Sequence, residues 1–125
     1  MPSILSVVLA GVASMVVGFL WYGPLFGKTW TKLMGWTKVP KMKTSPMHGY
    51  IIGFVGTLLM ASVLNVLSVF MPPVSAAFLL WIGILVPVLA GAVLWEGRPV
   101  KLYALNAAHY LVSLLAMGYV LTLVP

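Results

Sequence analysis

The chain has 125 residues, of which 62% are apolar and 6% charged. A water-soluble domain of this size needs about a quarter charged residues to cover its surface, so a soluble globule is excluded. The net charge is +6 and there is no Cys, which rules out disulfides, thiolate metal sites and a Cys nucleophile. What is left is an integral membrane protein, with length for a single four-helix domain over 1–125 and none to spare for a soluble one.

The first apolar run, 3–22, carries no charged side chain and ends at "WYGP". It lacks a basic n-region and a small-x-small cleavage site, so it reads as a retained span rather than a signal peptide. Ala10, Ser14 and Gly18 recur every four residues along it. Such a stripe lets a second helix approach closely.

Residues 23–46 form the one sizeable connector and hold Lys28, Lys32, Lys38, Lys41 and Lys43. Phe26, Trp30, Leu33 and Met34 follow helical spacing, with Lys28 and Lys32 on the opposite side. The pattern suits a short helix lying in the headgroup plane; a basic connector without a fixed fold is the alternative. The prolines of "TKVPKMKTSP" end any such helix.

The second run, 47–70, places Gly49, Gly53, Thr57 and Ala61 four residues apart, with Asn65 next in the series. The third, 74–95, carries Gly83, Pro87 and Gly91, and Pro87 is expected to kink it. These stripes are packing signals that serve contacts within one chain or between subunits. "GFLWYGPLFGK" at 18–28 and "AVLWEGRPVK" at 92–101 both close an apolar run on Leu-Trp-x-Gly. Their alignment beyond that is poor, and shared interface chemistry explains the likeness as well as duplication does.

The last run, 101–123, follows "GRP". Tyr103, Asn106, His109, Tyr110 and Ser113 fall within about a third of its circumference. His109 lies about 12 Å in from Lys101, near the middle of a ~30 Å hydrocarbon core. The plain reading is interhelical hydrogen bonding; the functional readings are a polar path, a small-ligand pocket or a His-ligated cofactor. A bis-His haem fits poorly, because His48 sits at the far end of its span from that depth. Glu96, the one acid, is either a surface ion-pair partner of Arg98 or the mouth of a polar path.

With four spans, all seven Lys and Arg fall on one side, in the first connector and at Arg98 and Lys101. The positive-inside rule makes that side cytoplasmic and puts both termini outside, as in a bacterial inner membrane. Trp21, Tyr22, Trp95 and Tyr103 read as interfacial anchors. The basic side chains are expected to meet anionic headgroups rather than nucleic acid. There is no phosphate loop, no carboxylate pair and no Ser elbow, so no enzyme is expected, and neither a cofactor nor a metal.

"LWYGPLFGKTWTKLMG" followed by "WEGRPVKLYALNAAHYLVSLLAMG" resembles the bacterial and fungal membrane family called Domain of Unknown Function 1761. The resemblance rests on Trp21, Tyr22, Pro24, Phe26, Gly27, Lys28 and Trp30, then Glu96, Gly97, Arg98 and Pro99, then Asn106, His109 and Ser113. It implies a small four-span protein and carries over no activity. The sequence thus points to an all-α membrane bundle acting as a helix-packing or accessory module, homo-oligomeric or part of a larger complex. The alternatives are a minimal oligomeric channel or transporter, and a haem or pigment subunit using His109.

Overall fold

The computed structural model describes residues 4–35 and 46–124, and these are helical almost throughout. In chain order the helices are α1 (Ile4–Leu20), α2 (Gly27–Leu33), α3 (Pro46–Leu67), α4 (Pro73–Leu80), α5 (Val86–Leu94) and α6 (Val100–Leu123). Five-residue π-type turns, Trp21–Leu25 and Trp81–Leu85, follow α1 and join α4 to α5; the first is broken by a kink at Gly23, whose backbone is non-helical (φ −111°, ψ −106°). Four segments are long and apolar enough to cross a membrane: Ile4–Leu25, Met47–Leu67, Pro73–Leu94 and Val100–Leu123. Helices are the form that satisfies backbone groups without water, and the prolines punctuate them. Pro46 and Pro73 open α3 and α4, and Pro99 precedes α6. A first-turn N–H has no intrahelical partner, so its loss there is harmless. The chain turns away after α2 and α5 through Gly35 (φ 79°) and Gly97 (φ 68°), a left-handed conformation that glycine adopts without a Cβ clash.

The two π-turns share a sequence, Leu-Trp-x-Gly-x-Leu, at 20–25 and 80–85. In each, the N–H five residues after the Trp returns to the Trp carbonyl, from Phe26 in one and Val86 in the other. Each Trp then turns its indole toward α6: Trp21 Nε1 donates to Leu105 O (3.2 Å) and Trp81 Nε1 to Ala107 O (2.7 Å). The structural counterpart of Leu20–Trp21 is therefore Leu80–Trp81. The Leu-Trp at 94–95 simply ends a helix, and Trp95 is 86% exposed. Pro87 is accommodated in the first turn of α5, directly after the second π-turn.

α6 lies between α1 on one side and α4–α5 on the other, while α3 packs on α1 and touches α6 little. Neighbouring spans run antiparallel. Close approach depends on small residues: a Cβ on Gly118 would lie 2.9 Å from Pro73 O, and one on Gly11 3.0 Å from Leu58 Cδ2. Ala10, Ala61, Leu64, Ala76, Ala77, Leu114, Met117 and Leu121 form the core. Ala76 and Ala77 supply the small-residue contact of the third span.

α2 occupies the short helical stretch expected in the first connector. Lys28 and Lys32 are exposed, whereas Phe26, Trp30, Leu33 and Met34 are half-buried. Phe26 stacks on Trp21 (centroids 4.6 Å apart) and Trp30 meets Tyr22 edge-on (5.2 Å), so α2 folds back on the end of α1. Arg98 reaches the same helix through Met34 Sδ (3.3 Å).

Candidate functional site

The seam between α1 and α6 is built in layers. As α1 advances by about one turn, its partner on α6 recedes by one. Ser14 and Ser113, both buried, share a hydrogen bond between their hydroxyls. One turn on, Gly18 faces His109, its missing Cβ leaving 3.6 Å to Nε2. One turn further, Tyr22 OH donates to Asn106 Oδ1 (2.7 Å) beside the Trp21 indole bond. The Ala10, Ser14, Gly18 stripe makes this possible, since bulkier residues would hold α6 too far away for hydroxyls to meet.

His109 sits between the two hydrogen-bonded layers. Its ring lies 4.9 Å from Tyr22, 4.9 Å from Tyr110 and 6.1 Å from Trp21, centroid to centroid. Among the described residues, both of its nitrogens are buried and neither has a hydrogen-bond partner; Asn65 Oδ1 shares that condition. Most buried polar atoms in folded proteins are paired, because leaving one unpaired costs about 1–3 kcal/mol.

Beside this seam runs a cleft of about 390 Å³, floored by α1 and walled by α3 and α6. Ser14, Tyr22, Thr57, His109, Tyr110 and Ser113 supply its polar atoms, and Met15, Phe19 and Met60 much of its apolar wall. Among the described residues, no charged side chain lines it. The α3 wall is low because Gly53 and Gly56 lie there, and a Cβ on either would meet open space.

The residues singled out in the sequence are distributed as follows. Asn106, His109, Tyr110 and Ser113 are gathered along the α1 seam, whereas Tyr103 turns to the other side and donates to Val86 O (3.0 Å). Glu96, Arg98 and Lys101 are exposed, and Arg98 bonds Met34 rather than Glu96. Lys38, Lys41 and Lys43 lie outside the described residues. Of the small-residue stripes, Ala10, Ser14 and Ala61 are buried, and Thr57 packs near Gly11. Gly49 is half-buried, Gly53 and Gly83 are exposed, and the nearest side chain to Gly91 is Trp95 of its own turn, 3.7 Å away. His48 is exposed.

Trp21 and Tyr22 read as interfacial anchors in the sequence, and the structure pairs both with α6. Trp81, Gly56 and Gly118 also gain roles that the sequence reading does not give them. One signal was present, the repeated Leu-Trp-x-Gly-x-Leu. A second was the mirrored polar spacing, with Ser14 and Tyr22 eight apart on α1 and Asn106 and Ser113 seven apart on α6.

No curated protein and no solved structure matches this chain. A family model does, over residues 5–122, a range that takes in the four spans but for their outermost residues, Ile4 and Leu123, and both walls of the cleft. The chain therefore belongs to the family described as "Protein of unknown function (DUF1761)".

Proposed function

We propose that this membrane protein binds an amphiphilic small molecule in the cleft between α3 and α6. The observation that carries the reading is His109, whose two buried nitrogens have no partner among the described residues although the groups one turn above and below are paired. An unpaired imidazole beside a cleft is a cost to the fold that a bound ligand offsets. The cleft, about 390 Å³, is of the size that small-molecule sites have. Its lining suits an amphiphile, since Met15, Phe19 and Met60 give apolar wall beside the polar groups of the α1–α6 seam. The reading of a polar conduit is less favoured, since Asn106 and Ser113 spend their side chains on α1.

In this proposal the basic end of the bundle faces the cytoplasm and meets anionic headgroups. Self-association is a second reading, favoured by Gly83 and Gly53, which are exposed with open space around them and would admit a helix of another copy.

Native mass spectrometry of protein extracted in a mild maltoside tests both. The expected spectrum shows an added small-molecule mass on the wild type and none on Gly56→Leu, whose new side chain fills the cleft. A wild type without added mass, or equal retention by Gly56→Leu, overturns the binding proposal and leaves an accessory helix-packing role. The mass of the assembly reports self-association directly.

A further inference from the structure

We propose that the ligand is an uncharged amphiphile whose head carries carbonyl oxygens, held by hydrogen bonds from His109 and Tyr110. The inference rests on the binding proposal above and narrows it to a chemical class.

Charge gives the first constraint. Among the described residues the cleft lining holds no Lys, Arg, Asp or Glu, and a charged head desolvated there would meet no counter-charge from them. The head is therefore neutral.

Hydrogen-bond supply gives the second. Tyr22 donates its proton to Asn106, and Thr57 donates its own to Phe54 O. Ser14 and Ser113 bond each other. The N–H of the His109 imidazole is a buried donor with no acceptor among the described residues, the Ser14–Ser113 pair makes one bond with two protons, and the Tyr110 hydroxyl also belongs to the lining. Buried N–H groups are rarely left orphaned, whereas a second lone pair often is, so the His109 N–H sets the demand. A carbonyl oxygen answers it with two lone pairs and no proton of its own.

Access gives the third. His109 borders the cleft although both nitrogens are covered, so the ring presents carbon there. A half-turn about Cβ–Cγ exchanges Nδ1 with Cδ2 and Nε2 with Cε1. No protein hydrogen bond opposes that turn, and the torsion is soft. The Tyr22 and Tyr110 rings, each 4.9 Å from the imidazole, give a planar head faces to lie against. Isoprenoid quinones and diacylglycerols both carry this chemistry.

The test is a titration in maltoside micelles, whose detergent has no carbonyl. A decyl-benzoquinone quenches tryptophan fluorescence, and Trp21 stands 6.1 Å from His109. Dioctanoylglycerol and decanol serve as competitors. The expected result is saturable quenching that weakens about tenfold in His109→Phe, the loss of a strong hydrogen bond. Tyr110→Phe should weaken it less, and Gly56→Leu should abolish saturation. Displacement by dioctanoylglycerol well below the quinone's own concentration assigns the glycerolipid; failure to displace assigns the quinone. If decanol competes as well as either carbonyl probe, or if His109→Phe binds like wild type, the carbonyl class is overturned. The added mass seen by native spectrometry would still stand in that case. Linear quenching, identical in every variant, overturns the class as well, and absence of any added mass then removes the binding proposal with it.

Discussion

Replacing His109 with Phe should make the ligand-free protein more stable. The substitution keeps a planar ring between Tyr22 and Tyr110 and deletes two nitrogens that are buried without partners. Each such atom costs the fold about 1–3 kcal/mol, and the unfolded chain in a micelle recovers part of that by finding other partners. Against the gain stands the larger ring. Its extra bulk meets Gly18, whose Cβ position is 3.6 Å from Nε2, but the cleft side is open, so overpacking falls at the low end, about 1 kcal/mol. The net expectation is a stabilisation of about 1 kcal/mol, roughly a fivefold rise in the folded-to-unfolded ratio. Unfolding in mixed micelles titrated with dodecyl sulfate, after exhaustive delipidation, measures it. A loss of about 2 kcal/mol or more would refute the reasoning, because it would mean that His109 makes hydrogen bonds that hold the protein together.

Gly118→Ala should destabilise relative to Gly53→Ala by about 1–3 kcal/mol in the same assay. The new methyl would press on Pro73 backbone in the first case and meet open space in the second, while the gain in helix propensity is common to both. Ser14→Ala and Ser113→Ala should each cost roughly 0.6 kcal/mol, and the double variant about the same as either, since both delete one bond. Trp21→Phe and Trp81→Phe should each cost about 0.5–1.5 kcal/mol and add in the double variant. Their indoles grip separate carbonyls of α6, and strong non-additivity in a double-mutant cycle would contradict that. A reporter fused after Val124 should be active only on the outer face; cytoplasmic activity would reverse the proposed orientation.

The four spans were legible because apolar runs bounded by Pro and charge leave few alternatives in lipid. The amphipathic pattern of 26–34 left a helix and an unstructured connector both open, and the structure forms the helix, α2. The polar face of α6 could be read from 100° periodicity, but its partners could not. Tyr22 and Asn106 are 84 residues apart and Ser14 and Ser113 are 99, and periodicity within one helix says nothing about pairing between two. Tyr22 and Trp21 look like anchors because they end an apolar run; in the structure they precede the kink at Gly23 and both bond α6. Gly83 and Gly91 read as packing residues for a contact within the chain or between subunits; within the chain, the buried small residues of this span are Ala76 and Ala77. In a helix apolar all round, the core-facing and lipid-facing sides have the same composition, so a small residue alone does not mark the contact.

The unpartnered His109 imidazole beside the cleft carries the binding proposal. The most direct test is nitrogen-15 NMR of histidine-labelled protein in maltoside micelles, where exposed His48 serves as the internal reference. In delipidated protein the His109 nitrogens should show the shifts of a neutral ring without hydrogen bonds. On addition of the decyl-benzoquinone or dioctanoylglycerol, one of them should move in wild type and stay put in Gly56→Leu. A His109 signal already shifted by hydrogen bonding before any ligand is added, or one that neither probe moves, would contradict the account.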